Sequence, residues 1–111
     1  MYLEDASVVE HRDVPGGYRL LVLCAPRIAP AVRPGQFVHL RIPHFQQALL
    51  RRPFSVFRTD GDRLLLLYKA VGEGTRRLRE VRAGEPVSLI GPLGHGFPAP
   101  APGRFPILVA G

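Results

Sequence analysis

Four consecutive residues, Arg52-Pro53-Phe54-Ser55, combine a permanent positive charge, a rigid imino acid, an aromatic ring and a hydroxyl. Arginine offers a planar fork of donors that fits a phosphate. Pro53 has no backbone donor and a fixed φ, so it marks the start of a strand at a sheet edge. In a strand, Arg52 and Phe54 share one side and Ser55 points to the other. A planar ligand that carries phosphate needs such a set. Taken alone, the stretch also fits an ordinary strand start with a solvated arginine pair, Arg51 and Arg52.

A second stretch adds weight to the ligand reading. The apolar run Leu66-Leu67-Tyr68-Lys69-Ala70-Val71 ends in Gly72-Glu73-Gly74-Thr75, and a short helical pattern follows through Arg76-Arg77-Leu78-Arg79-Glu80-Val81. Thr75 is expected as the N-cap. A helix start after a glycine turn presents free N–H groups and the positive end of the helix dipole to an anion. The chain thus offers two phosphate-competent elements, each beside a strand.

The other reactive side chains carry less. His11, His39, His44 and His95 lack ligand spacing and read as surface or hydrogen-bonded residues, so no metal site is expected. His95 lies in the loop after the last barrel strand, which makes it a candidate neighbour of the ligand. Asp60 and Asp62 flank a glycine and read as turn formers, not a catalytic pair. Arg76, Arg77 and Arg79 read as a solvated face, with one of them reaching a phosphate as the lesser reading. No general acid or base is expected.

These residues need elements to hold them. Ala6 to Arg12 reads as a strand, followed by a turn at Pro15-Gly16-Gly17. Tyr18 to Ala25 is a nearly continuous apolar strand, as in a barrel wall. The proline-bearing stretch Pro26 to Gln36 is a loop. Phe37 to Ile42 alternates cleanly, and Pro43 ends it. A loop from His44 to Leu50 leads to the strand Pro53 to Thr59. Asp60-Gly61-Asp62 signals a hairpin into Arg63 to Val71. Thr75 to Arg82 forms a short helix, and Pro86 to Ile90 a sixth strand. Gly91 to Phe97 is a glycine-rich loop, Pro98 to Pro106 a linker. Short strands at this spacing, with one late helix, predict an all-β fold: a six-stranded antiparallel Greek-key barrel capped by the helix.

Composition sets the outer limits. At 111 residues the chain can bury its own core, and 46% apolar with 22% charged residues is ordinary for a globular domain. No apolar run is long enough for a membrane span, and no signal-peptide pattern opens the chain, so a cytoplasmic location is expected. Cys24, the single cysteine, sits in an apolar run and is expected to be buried and reduced. One cysteine cannot ligate an iron–sulfur cluster within these residues. The net charge of +6 comes from arginines scattered along the chain, without a polybasic run. A basic nucleic-acid-binding barrel is therefore the alternative of another class, and no nucleic-acid partner is expected.

With these residues laid out, a family resemblance is apparent. Arg52-Pro53-Phe54-Ser55 resembles the Arg-x-Tyr/Phe-Ser/Thr flavin motif of the ferredoxin reductase superfamily, and Gly72-Glu73-Gly74-Thr75 resembles its pyrophosphate motif. Pro34-Gly35-Gln36-Phe37-Val38 resembles its approach to the third strand. More narrowly, Arg51 to Val56, Tyr68 to Thr75 and Gly91-Pro92-Leu93-Gly94-His95-Gly96-Phe97 resemble the electron-transfer subunit of NAD-linked dihydroorotate dehydrogenase. Reductase subunits of sulfur, hydrogenase or glutamate synthase-like complexes share all but the last of these motifs.

The resemblance implies an FAD-binding barrel over residues 1–104, with residues 105–111 as the start of a truncated NAD-binding domain. Arg52 would pair with the FAD pyrophosphate, and Gly74 and Thr75 would hold it. Pro53 belongs to the same motif. Ser55 would meet the flavin near N5 and O4, and Phe54 would pack on the ring where many relatives have tyrosine. Leu67, Tyr68 and Lys69 would line the flavin and the ribitol or ribose. The whole subunit would add an NAD domain and a 2Fe–2S cluster. It would pass electrons from dihydroorotate, through FMN on a partner catalytic subunit, to NAD in pyrimidine biosynthesis, in a heterotetramer. A docking barrel that has lost its flavin is the remaining alternative.

Overall fold

The computed structural model describes residues 1–43 and 51–95. The expected loop from His44 to Leu50, Gly96 and Phe97, the linker, and the final strand with its domain start lie outside the described residues. Six strands follow in order: β1 (Tyr2–Val14), β2 (Tyr18–Cys24), β3 (Phe37–Arg41), β4 (Arg52–Asp60), β5 (Arg63–Tyr68) and β6 (Pro86–Leu93). A 3-10 turn, Ala29–Ala31, precedes β3, and helix α1 (Glu73–Leu78) lies between β5 and β6. The strands close into a barrel in the order β1-β2-β5-β4-β3-β6, and every neighbouring pair is antiparallel. β6 returns past β4 and β5 to lie beside β3, which is the expected Greek-key order.

The alternation of apolar residues builds the interior. Leu21, Leu23, Val38, Leu40, Leu64, Leu66, Val87 and Leu89 are fully buried. Leu78 of α1 and Val81 just after it join the same core, so the helix closes one end of the barrel. Burying each such leucine contributes about 1.5–3 kcal/mol. Leu20 and Val22 are also buried but face outward from β2, opposite Leu67 and Leu65 of β5. The continuous apolar run of β2 thus reflects cover on both faces.

Several boundaries differ from the expectation. β1 starts at Tyr2, not Ala6, because its first half pairs with β6 (Tyr2 opposite Gly91) and its second half with β2. A bulge between Val8 and Glu10 marks the changeover. The polar pair Glu4-Asp5 hid this start, yet Glu4 is buried. Its carboxylate accepts the N–H groups of Arg27 and Ile28, both at 3.0 Å. β5 ends at Tyr68, before the expected Val71. β6 runs on through a cis Gly91–Pro92 bond to Leu93, where a loop was expected. Gly91 is a packing residue there: a Cβ would stand 2.8 Å from Val38 Cγ1. Cys24 is only half-buried, at the end of β2, where its thiol donates to Asp62 Oδ2 at 3.6 Å. No helix among the described residues is long and apolar enough to cross a membrane.

Glu4 provides a test of this packing. Glu4→Ala should strand two N–H groups near the core and cost about 1–3 kcal/mol for each group left unsatisfied. Thermal unfolding should show it as a Tm lowered by about 4–8 °C per kcal/mol. An unchanged Tm would show that water replaces the carboxylate.

Candidate functional site

Arg52 opens β4 opposite Leu40, one step beyond the pairing of Phe54 with Val38. Arg52 therefore follows the inward row of β4 to the end of the barrel that α1 covers. There Gly74, buried in the first turn of α1, sits against it. A Cβ on Gly74 would stand 3.0 Å from Ile42 Cδ1 and 3.5 Å from Arg52 Nε. Only the missing side chain lets helix backbone, Ile42 and the Arg52 side chain meet this closely.

Thr75 is not the N-cap. The helix starts at Glu73 with Gly72 as N-cap, and Thr75 is its third residue. From there the hydroxyl accepts the N–H groups of Val71 and Gly72, each at 3.0 Å, and lies 3.1 Å from the Gly72 carbonyl, to which it can donate. Thr75 thus staples the turn that leads into α1. The helix ends at Leu78, short of the expected Arg82.

The two arginines of the motif separate. Arg51 donates to the Ser88 carbonyl at 3.1 Å and to Ser88 Oγ at 2.9 Å, which ties it to β6. Arg52 stays exposed beside Gly74. Phe54 turns inward, is 8% exposed, and meets Tyr68 edge to face at 6.0 Å. Ser55 and Pro53 are exposed on the outer face, opposite Phe37 and His39 of β3. The Phe37 and His39 rings lie 5.5 Å apart. Gly94 closes against this wall: it has φ +79°, and a Cβ there would stand 2.8 Å from Phe37 Cε1. Its carbonyl accepts from Gln36 Nε2 at 3.0 Å. His95, next in line, is exposed.

Leu67, Tyr68 and Lys69 go three ways. Leu67 faces outward and is half-buried. Tyr68 is buried, and its hydroxyl lies 2.7 Å from His11 Nε2. Lys69 is exposed, with Nζ 4.7 Å from the Tyr18 ring centroid. The residues expected to line one wall are therefore split between the interior and two surface positions.

His11 and Arg19 carry a polar cluster that motif reading missed. His11 Nδ1 lies 2.8 Å from the Val81 carbonyl, just after α1. A carbonyl only accepts, so Nδ1 holds the proton and Nε2 accepts from Tyr68. Arg19 lies 3.5 Å from that same Nε2 and pairs with Asp13 at 2.8 Å. Burial holds the imidazole below its ordinary pKa, against the pull of the Val81 carbonyl, with Arg19 adding to the lowering. Burial pushes the Tyr68 phenol up to about 12. The available signal was register: beyond the bulge, His11 faces Leu21 and Asp13 faces Arg19. Among the described residues no group of three or more metal-ligating side chains is gathered.

Known proteins resemble this chain over its full length. No protein-family model matches it. The dihydroorotate dehydrogenase B (NAD(+)) electron transfer subunit of Geobacillus sp. (strain WCH70) is 38% identical over 115 aligned residues, covering 100% of this chain and 45% of that protein. The same subunit of Bacillus mycoides (strain KBAB4) is 36% identical, with 100% of this chain and 44% of that protein covered. This chain is thus similar to these electron transfer subunits along its whole length. It spans under half of their length. The ferredoxin reductase in carbazole 1,9a-dioxygenase shares the fold, with a TM-score of 0.75, 24% identity, and coverage of 93% of this chain and 32% of that one.

The staple at the helix start is open to a direct test. Thr75→Val keeps the shape and removes the hydroxyl. It should cost about 0.5–2 kcal/mol, the range for loss of a helix-start hydroxyl. Amide exchange should quicken at residues 71–78 and nowhere else. Unchanged exchange there would mean that packing of Leu78 alone holds α1.

Proposed function

We propose that this chain is the FAD-holding barrel of an electron-transfer subunit. The carrying observation is Arg52 beside Gly74: an exposed arginine and the first turn of α1, brought together at a place that any Cβ would fill. A diphosphate suits that rim, since it accepts from both a planar arginine and helix-start N–H groups. The residues present thus fit FAD, whose flavin supplies the redox chemistry when bound.

The chain's own side chains bind and orient. Arg52 and the backbone at Gly74 and Thr75 hold the pyrophosphate. Ser55, with Pro53 beside it, offers its hydroxyl to the flavin edge near N5 and O4. Phe54 and Tyr68 support this wall from inside, and Leu67 and Lys69 border the ribitol or ribose. In the longer subunit, electrons would pass from dihydroorotate through FMN on the partner catalytic subunit and a 2Fe–2S cluster to this FAD, and on to NAD. The similarity to dihydroorotate dehydrogenase electron transfer subunits supports this place in the chain of carriers.

Arg51 and Arg52 give opposite expectations. Hydrogen bonds to charged groups contribute about 1.5–3 kcal/mol. Arg52→Ala should therefore weaken FAD binding roughly tenfold to a hundredfold in a fluorescence titration. Arg51→Ala, which loses its Ser88 contacts, should bind FAD nearly as wild type does. Excess FAD should also raise the Tm in a concentration-dependent way. A Tm indifferent to FAD, or a larger loss in Arg51→Ala than in Arg52→Ala, would sink the assignment.

A further inference from the structure

We infer that His11 is a positioning residue for the cofactor rim, one that ties α1 to the barrel. The inference rests on the FAD reading above. α1 has only six residues, Glu73–Leu78, too few to hold its place by its own hydrogen bonds. Its placement comes from what grips it. At its start, Thr75 staples the turn to Val71 and Gly72. Beneath it, Leu78 and Val81 enter the core. Three residues past its end, the imidazole of His11 spans from the Val81 carbonyl to the Tyr68 hydroxyl.

A second tie reinforces the same seam. Gly84 donates to the Val8 carbonyl at 2.8 Å, and Val8 donates to the Glu85 carbonyl at 2.9 Å. β1 thus holds the chain that leaves α1 at two points, and the His11 side chain adds a contact to the Val81 carbonyl. Tyr68 in turn abuts Phe54, which lies two residues from Arg52 on the same row. The contacts therefore run unbroken from the helix tail through His11 and Tyr68 to the strand that carries Arg52. Loss of the imidazole would free one side of the helix whose first turn Arg52 must face.

The clamp works only with neutral His11. Protonation would make Nε2 a donor, so Tyr68 would have to accept from it and find another acceptor for its own proton. The charged groups that face this point are Arg19 on β2, Asp13 on β1 and Arg79 after α1. Both arginines are donors, and Asp13 is taken up by Arg19. The folded-state pKa of His11 lies below its ordinary value. Its contribution is therefore fully present above about pH 6.5 and is lost as pH falls through the folded value.

The test uses the purified chain with FAD, under conditions where each variant gives a cooperative melt well above the assay temperature. FAD dissociation constants are measured by fluorescence from about pH 8 to about pH 5.5, and amide exchange of residues 72–82 without FAD. His11→Ala should weaken FAD binding roughly threefold to tenfold, the size of one or two hydrogen bonds, and quicken exchange at 72–82. His11→Gln, whose amide oxygen can still accept from Tyr68, should recover part of both losses. Wild type should lose affinity as pH falls through the folded-state pKa of His11, which lies below its ordinary value, by more than His11→Gln, which has no imidazole to titrate. Tyr68→Phe should reproduce part of the His11→Ala effect. FAD binding by His11→Ala with wild-type affinity and the same pH slope would overturn the clamp and leave the flavin reading standing. Wild type that binds no FAD at any pH would instead overturn the flavin reading, and with it the cofactor role of His11.

Discussion

β1 is the strand on which the rest of the structure depends. It pairs with β6 through its first half and with β2 through its second, so the barrel closes at its seam with β6. Closure removes the exposed edges that an open sheet of this size would carry. It also defines an end for α1 to cover. Two polar residues of β1 then reach past the ladder. Glu4 holds the backbone at Arg27 and Ile28, which shapes the approach to β3. His11 holds the tail of α1 at Val81. The bulge between Val8 and Glu10 lets one strand do both, by changing which residues face inward.

Electrostatics at the covered end follow from this geometry. The arginines on or near it have different occupations. Arg51 is spent on Ser88, Arg19 on Asp13, and Arg77 lies 3.9 Å from Glu80 on the exposed side of α1. Arg52 is the one set against the helix start at Gly74. Burial keeps His11 neutral, with Arg19 adding to the effect, and keeps Tyr68 protonated against the pull of Arg19, so their hydrogen bond has one fixed direction.

The sequence made the barrel legible because its signals were local. Clean alternation marked Phe37 to Ile42, and Asp60-Gly61-Asp62 marked the β4–β5 hairpin, where Gly61 has φ +61°. The short spacing between strands then left few topologies. What stayed hidden was tertiary. Glu4 reads as polar surface until its carboxylate meets two distant N–H groups. Gly91-Pro92 reads as a turn, yet Gly91 is there because Val38 leaves no room for a Cβ. Thr75 reads as an N-cap, but its hydroxyl reaches back from the third position. Of the site, the types and spacing of Arg52 and Gly74 were legible, and their contact was not. The inward turn of Phe54 and the partnership of His11 with Tyr68 needed the register of five strands.

The central claim is that Arg52 and the first turn of α1 together hold the FAD pyrophosphate. Titration of FAD into nitrogen-15-labelled chain, followed by amide and arginine side-chain resonances, tests it most directly. The account predicts that the amides of Gly74 and Thr75 and the Nε resonance of Arg52 shift together, along one saturation curve, while Arg51 stays still. Shifts that saturate elsewhere on the barrel and spare those three groups would contradict it.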